Sequence, residues 1–148
     1  PIDFGYAIEG AQVVLGRYRL AGATGSELSP LNMPLYLERW NGTGFITDTG
    51  LADANCTAVN GAALDNPTGN LSVSETSATV GGGIQGLSLL SLSAPGAGNA
   101  GSIHVTPSVP GWLYFDWLGS SASNPSATAT FGGYAGSRPL IFRREVYR

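Results

Sequence analysis

No stretch of this chain sustains apolar residues at the three-to-four spacing of a helix, and Gly or Pro interrupts most windows of a dozen residues. Short alternating segments recur instead, at Ala11 to Leu20, Pro34 to Trp40, Gly44 to Asp48, Leu71 to Val80, Gly86 to Ser93, Gly101 to Pro107, Trp112 to Trp117, Ser126 to Tyr134 and Pro139 to Tyr147. Alternation with period two buries one face of a strand, and clusters of Gly, Asn, Ser and Pro between the segments supply turns. The pattern predicts an all-β chain, an antiparallel β-sandwich of immunoglobulin-like or jelly-roll-like type with about 8–10 strands. At 148 residues it fits a single domain spanning residues 1–148. The hairpin signal is clearest at Asn41 to Gly44, which should make its two flanking strands neighbours. Thr49 to Gly69, Ala94 to Gly101, Gly119 to Ser126 and the glycines from Gly81 to Gly83 read as loops within that domain.

Alternation also selects a core: Val14, Tyr18, Leu20, Leu35, Leu37, Phe45, Leu87, Leu89, Ile103, Val105, Leu113, Phe115, Trp117, Phe131 and Phe142. In the aromatic segment Gly111 to Trp117, Leu113, Phe115 and Trp117 share the inward face. Trp112, Tyr114 and Asp116 share the outward one. Two flat rings beside a carboxylate suit a saccharide, and with Asn124 of the following loop they form the candidate ligand-binding set. Cross-strand aromatic packing is the competing reading of the same residues.

Charged residues make up 11% of the chain, well below the roughly 25% of an average soluble domain. All seven basic residues are arginines and the net charge is -3, and outside the C-terminal run there is no basic patch of the kind that nucleic acid requires. No apolar run approaches the length of a membrane-spanning helix. Cys56 is the single cysteine, so it reads as a small buried hydrophobe and builds neither an intrachain disulfide nor a cysteine zinc site. His104, the single histidine, falls on the polar face of its strand, and no nucleophile elbow or phosphate-cradling glycine loop occurs. Catalysis is thus the poorest fit, and neither a cofactor nor a metal is expected, since the loop after Asp116 offers hydroxyls and one amide but no further carboxylate for calcium. Three glycosylation sequons, at Asn41, Asn55 and Asn70, arise too easily by chance to carry weight.

Six motifs, GSEL-x-PL from Gly25, WNG-x-GF from Trp40, APG-x-GN-x-G from Ala94, WL-x-x-DW from Trp112, PSA-x-x-TFG from Pro125 and RE-x-Y from Arg144, occur in one order. The stretch from about Gly16 to Tyr147 that contains them resembles the C-terminal domain of MshQ-type proteins, which accompany the MSHA type IV pilus of Gram-negative bacteria. The resemblance implies an exported or surface-associated domain of unknown function, and it brings no catalytic residues. Many relatives carry extra acids in the turn after the DW pair, where this chain has Leu118-Gly-Ser-Ser-Ala-Ser.

Together these features point to a non-enzymatic extracellular module of a pilus-associated or adhesin-like surface protein, with pilus components as partners. Beginning at Pro1 without a methionine, it is expected to be the C-terminal fragment of a larger exported protein. One alternative is a filament subunit that self-associates by terminal strand exchange, with Leu140, Ile141, Phe142 and Val146 of the final segment as the contact. The second alternative is a lectin-type module for surface glycans. Neither nucleic acid nor a membrane span enters any of the three.

Overall fold

The computed structural model describes residues 15–49, 57–81, 86–119 and 121–132. Val14, Cys56 and the final segment with Leu140, Ile141, Phe142 and Val146 lie outside the described residues. Among the described residues nine strands form and no α-helix: β1 Gly16–Leu20, β2 Ala23–Gly25, β3 Leu31–Trp40, β4 Phe45–Thr47, β5 Ala62–Asp65, β6 Ala78–Val80, β7 Leu87–Leu92, β8 Gly101–Pro107 and β9 Ala127–Phe131. One sheet runs β1-β3-β7-β6 with β4 also on β3, and the other runs β2-β9-β8-β5. The chain is an all-β sandwich, and among the described residues every strand pairing is antiparallel except where β2 joins β9 in parallel.

Both sheets supply the buried layer between them. Tyr18, Leu20, Leu31, Met33, Leu35, Leu37, Leu90 and Leu92 come from the first, and Ile103, Val105, Ala129 and Phe131 from the second. The expected facing of β7 is corrected, because Leu87 and Leu89 are exposed and Leu90 and Leu92 are buried. Two adjacent leucines leave the phase of the alternation open, and the ladder settles it: Met33 faces Leu90 and Leu31 faces Leu92. Phe45, Phe115 and Trp117 are half-buried and stand outside this layer.

Strand β3 begins three residues before the expected Pro34. A proline inside a central strand normally costs a ladder bond. Here the Pro34 carbonyl accepts from Ala21 N at 2.9 Å, and N and O of one strand residue point to the same side. The imide nitrogen therefore faces the edge where pairing with β1 has ended at Leu20, and β7 loses nothing.

On the other edge of β3, β4 and β7 follow one another end to end. Leu37 donates to Gly86 O at 2.7 Å and accepts from Asp48 N at 2.8 Å. Gly86 has φ +77°, and a β-carbon there would fall 1.9 Å from Asp48 O, so only glycine fits the junction. The Asn41–Gly44 hairpin forms as expected: Asn41 Oδ1 accepts from Thr43 N and Gly44 N at 3.0 and 2.9 Å, and Trp40 faces Phe45.

Two strands went unforeseen. β5 lies in a segment that reads as loop and pairs with β8, while β2 is only three residues long. Leu71 to Val80, expected as one strand, instead makes a 3-10 turn at Val73–Glu75, where the Glu75 carboxylate accepts from Ser72 N at 2.7 Å, and keeps strand only at Ala78–Val80.

Tyr18 reaches out of the core to donate its hydroxyl to Thr57 O at 2.7 Å. Burial pushes its pKa above the ordinary 10.0, against the lowering effect of that hydrogen bond. The unfolded chain therefore releases this proton first, so the contribution is complete below about pH 10 and is lost as pH rises beyond it toward the folded pKa. Tyr18→Phe should cost about 1–2 kcal/mol at neutral pH, because the hydroxyl's hydrogen bond to Thr57 O is lost. It should also flatten the decline in unfolding free energy between pH 9 and 11, measured by urea denaturation.

Candidate functional site

The aromatic segment is not the strand that its alternation suggests. Pro110, with φ -56°, leads into a 3-10 turn at Gly111–Leu113, and only Phe115 pairs as in a sheet, with Ser123, through bonds of 3.2 and 3.0 Å. Alternation holds for the outward set only: the inward set divides, with Leu113 in the core and Phe115 and Trp117, expected there beside it, left out of it because the 3-10 turn breaks the strand. Leu113 is buried in the core beside Gly16 of β1, whose lack of a side chain leaves room for the leucine. Trp112, Tyr114 and Asp116 point outward, with Trp112 61% exposed.

Phe115 and Trp117 pack on the outer side of the first sheet around one cation. The Arg17 Cζ lies 3.8 Å from the ring centre of Phe45, 4.6 Å from Phe115 and 4.8 Å from Trp117. Edge-to-face contacts of 5.1 to 5.3 Å link Trp40, Phe45, Phe115 and Trp117 into a chain. Arg17 Nε also donates to Glu38 Oε2 at 2.9 Å, the residue directly opposite on β3, while Arg19 Nε donates to Glu38 Oε1 at 2.7 Å. A guanidinium stacked on aromatic faces and bonded to a buried carboxylate holds the segment against β1 and β3. Leu113 on the core side and Phe115 with Trp117 on the outer side therefore clasp β1.

The loop after Trp117 is tied back where Asn124 Oδ1 accepts from Val109 N at 3.0 Å. Between this loop and β1 opens a cleft of about 250 Å³, walled by Arg19, Leu20, Trp117, Leu118, Ser123, Asn124, Pro125 and Ser126. Of the four residues expected to bind ligand, only Asn124 belongs to that wall; Trp112, Tyr114 and Asp116 stand elsewhere on the surface. Arg19, Trp117, Ser123 and Ser126 escaped the reading of the sequence. The usable signal was Arg17-Tyr-Arg19, which alternation places on the face opposite the core. With Trp112 so exposed, Trp112→Ala should change the unfolding free energy by no more than about 0.5 kcal/mol in urea denaturation.

His104 lies on the outer face of the second sheet as expected, with Nδ1 2.9 Å from Oδ1 of Asp65 on the neighbouring strand. The adjacent Ser102 hydroxyl shares a hydrogen bond of 2.9 Å with Thr130. Among the described residues no group of three or more His, Cys, Asp or Glu is placed to hold a metal ion.

Fold and surface together define a β-sandwich module whose most distinctive aromatic segment is built into its packing. The chain belongs to the family described as DUF6701, fourth domain, which matches residues 14–146. Comparison with curated proteins and with solved structures found no match.

Proposed function

We propose that the chain is a non-enzymatic, extracellular β-sandwich module of a pilus-associated or adhesin-like surface protein of a Gram-negative bacterium, of the MshQ type. The observation that carries this reading is how the motifs shared with that type are used. Leu113 and Trp117 of WL-x-x-DW clasp β1, Gly44 of WNG-x-GF closes a hairpin, and Gly96 of APG-x-GN-x-G donates to Glu27 O in GSEL-x-PL at 2.9 Å. These shared residues serve a scaffold, and a scaffold with long polar loops suits display at a surface. Among the described residues no helix is long and apolar enough to cross a membrane.

The test is labelling of the native bacterium with an antibody raised against this chain. Signal on intact cells that is lost after protease shaving is expected. Signal that requires permeabilised cells overturns the reading.

The filament alternative draws on the sheet ends. Among the described residues β1 and β6 flank one sheet and β2 and β5 the other, each paired on a single side. Such edges accept a strand from a neighbouring subunit. Deleting residues 140–148 should then dissociate assemblies seen by size-exclusion chromatography, and an unassembled native chain contradicts this reading.

A further inference from the structure

We propose that the cleft between β1 and the loop after Trp117 binds an acidic saccharide, a pyranose carrying a carboxylate. The inference deepens the adhesin-like reading and rests on it for its biological sense.

Charge is the first argument. Glu38 is one carboxylate shared by two guanidinium groups, Arg17 through Oε2 and Arg19 through Oε1. The trio carries one surplus positive charge. Arg17 is enclosed, its side chain 16% exposed and surrounded by rings, whereas that of Arg19 is 40% exposed and lines the cleft. The surplus is therefore presented by Arg19. Its Nε is committed to Glu38 and its guanidinium lies 4.3 Å from the Tyr36 ring centre, which fixes its plane. Among the described residues no hydrogen bond engages its Nη groups, which leaves an oriented fork for an incoming carboxylate. The chain as a whole has a net charge of -3, so attraction of an anion here is local rather than a property of the overall field.

The rest of the wall selects a sugar over a simple acid. Because Asn124 Oδ1 accepts from Val109 N, its amide group is left as a donor facing no described acceptor. Ser123 and Ser126 add hydroxyls, and Trp117 with Pro125 adds apolar surface. A pyranose has the same division, with an apolar ring face and a rim of hydroxyls. The indole N–H of Trp117 is moreover buried without an acceptor among the described residues, so an acceptor-rich ligand that shifts the ring gains a hydrogen bond. At about 250 Å³ the cleft lies near the small end of ligand sites and matches one sugar unit rather than an extended chain.

The experiment titrates the 148-residue chain with methyl galacturonoside, with the methyl ester of its carboxyl group and with a short peptide bearing a free C-terminal carboxylate, following indole N–H signals by NMR. Saturable shifts at Trp117 with the acid are expected, with at least about tenfold weaker binding of the ester, the size of one charge-assisted hydrogen bond. Arg19→Gln should weaken the acid about tenfold as well. Since that variant also disturbs Glu38, Ser126→Phe provides a second test: the exposed position should leave the melting temperature unchanged while the ring fills the cleft and abolishes binding. Equal binding of acid and ester, equal binding of the peptide, shifts centred on Trp112 instead of Trp117, or no saturable change at millimolar sugar would each overturn the proposal. Labelling of intact cells is read separately, so loss of this inference and loss of the surface assignment are distinguishable.

Discussion

Replacing Glu38 by alanine should lower the unfolding free energy by about 3 kcal/mol, a sizeable part of the 5–15 kcal/mol typical of a domain. Glu38 is 5% exposed, and its carboxylate holds two arginines by their Nε atoms. Removing it leaves Arg17 between Phe45, Phe115 and Trp117 with no countercharge opposite it on β3. A guanidinium stripped of its partner in a largely desolvated place is destabilising by several kcal/mol, and the residual exposure of Arg17 keeps the figure near the lower end of the usual 3–5 range. Glu38→Gln keeps the shape and loses only the charge, so it should fall between the parent and the alanine variant. A double-mutant cycle with Arg17→Met sharpens the point: in that background Glu38→Ala should cost far less, because the orphaned charge is gone. Urea denaturation of the four proteins decides. Equal costs in both backgrounds would show that Glu38 acts by packing alone.

Phe131→Ala should cost about 3–5 kcal/mol. The ring is 1% exposed and sits in β9 between Gly25 of β2 and Gly101 of β8, its direct neighbours on either side. Those glycines have no side chains to close over a void. A β-carbon on Gly25 would come within 2.9 Å of Leu31, and one on Gly101 within 1.9 Å of Thr68 O, so the surroundings are already tight and relax little. Phe131→Leu, which keeps most of the volume, should lose under about 1.5 kcal/mol. A loss below about 1 kcal/mol for the alanine variant would mean that the ring does not fill the inter-sheet layer.

What the sequence revealed follows from which interactions are local. β8 appears at its full expected length because Ile103 and Val105 alternate cleanly with His104 and Thr106 between turn residues. β7 was recognised with the wrong face, since Leu89 and Leu90 permit both phases and only pairing with Met33 chooses one. β5, rich in alanine, has too little hydrophobic contrast to announce itself and exists because β8 offers it an edge. Residue parity alone showed that Trp112, Tyr114 and Asp116 face outward, but not that Phe115 and Trp117 part from Leu113 and take the other side of β1. That the segment clasps β1 was not legible, because Arg17, Glu38 and Phe45 come from three strands whose register no local pattern encodes. The cleft is hidden for the same reason: Arg19 and Ser126 are more than a hundred positions apart in the chain.

The central claim is that Trp117 is packed into the clasp while Trp112 faces solvent. With three tryptophans in the chain, labelling with 5-fluorotryptophan gives three assignable ¹⁹F signals, and a soluble paramagnetic agent broadens each according to its exposure. The account predicts strongest broadening for Trp112, less for Trp40 at 41% exposure, and least for Trp117. A Trp117 signal broadened as strongly as that of Trp112 would contradict it.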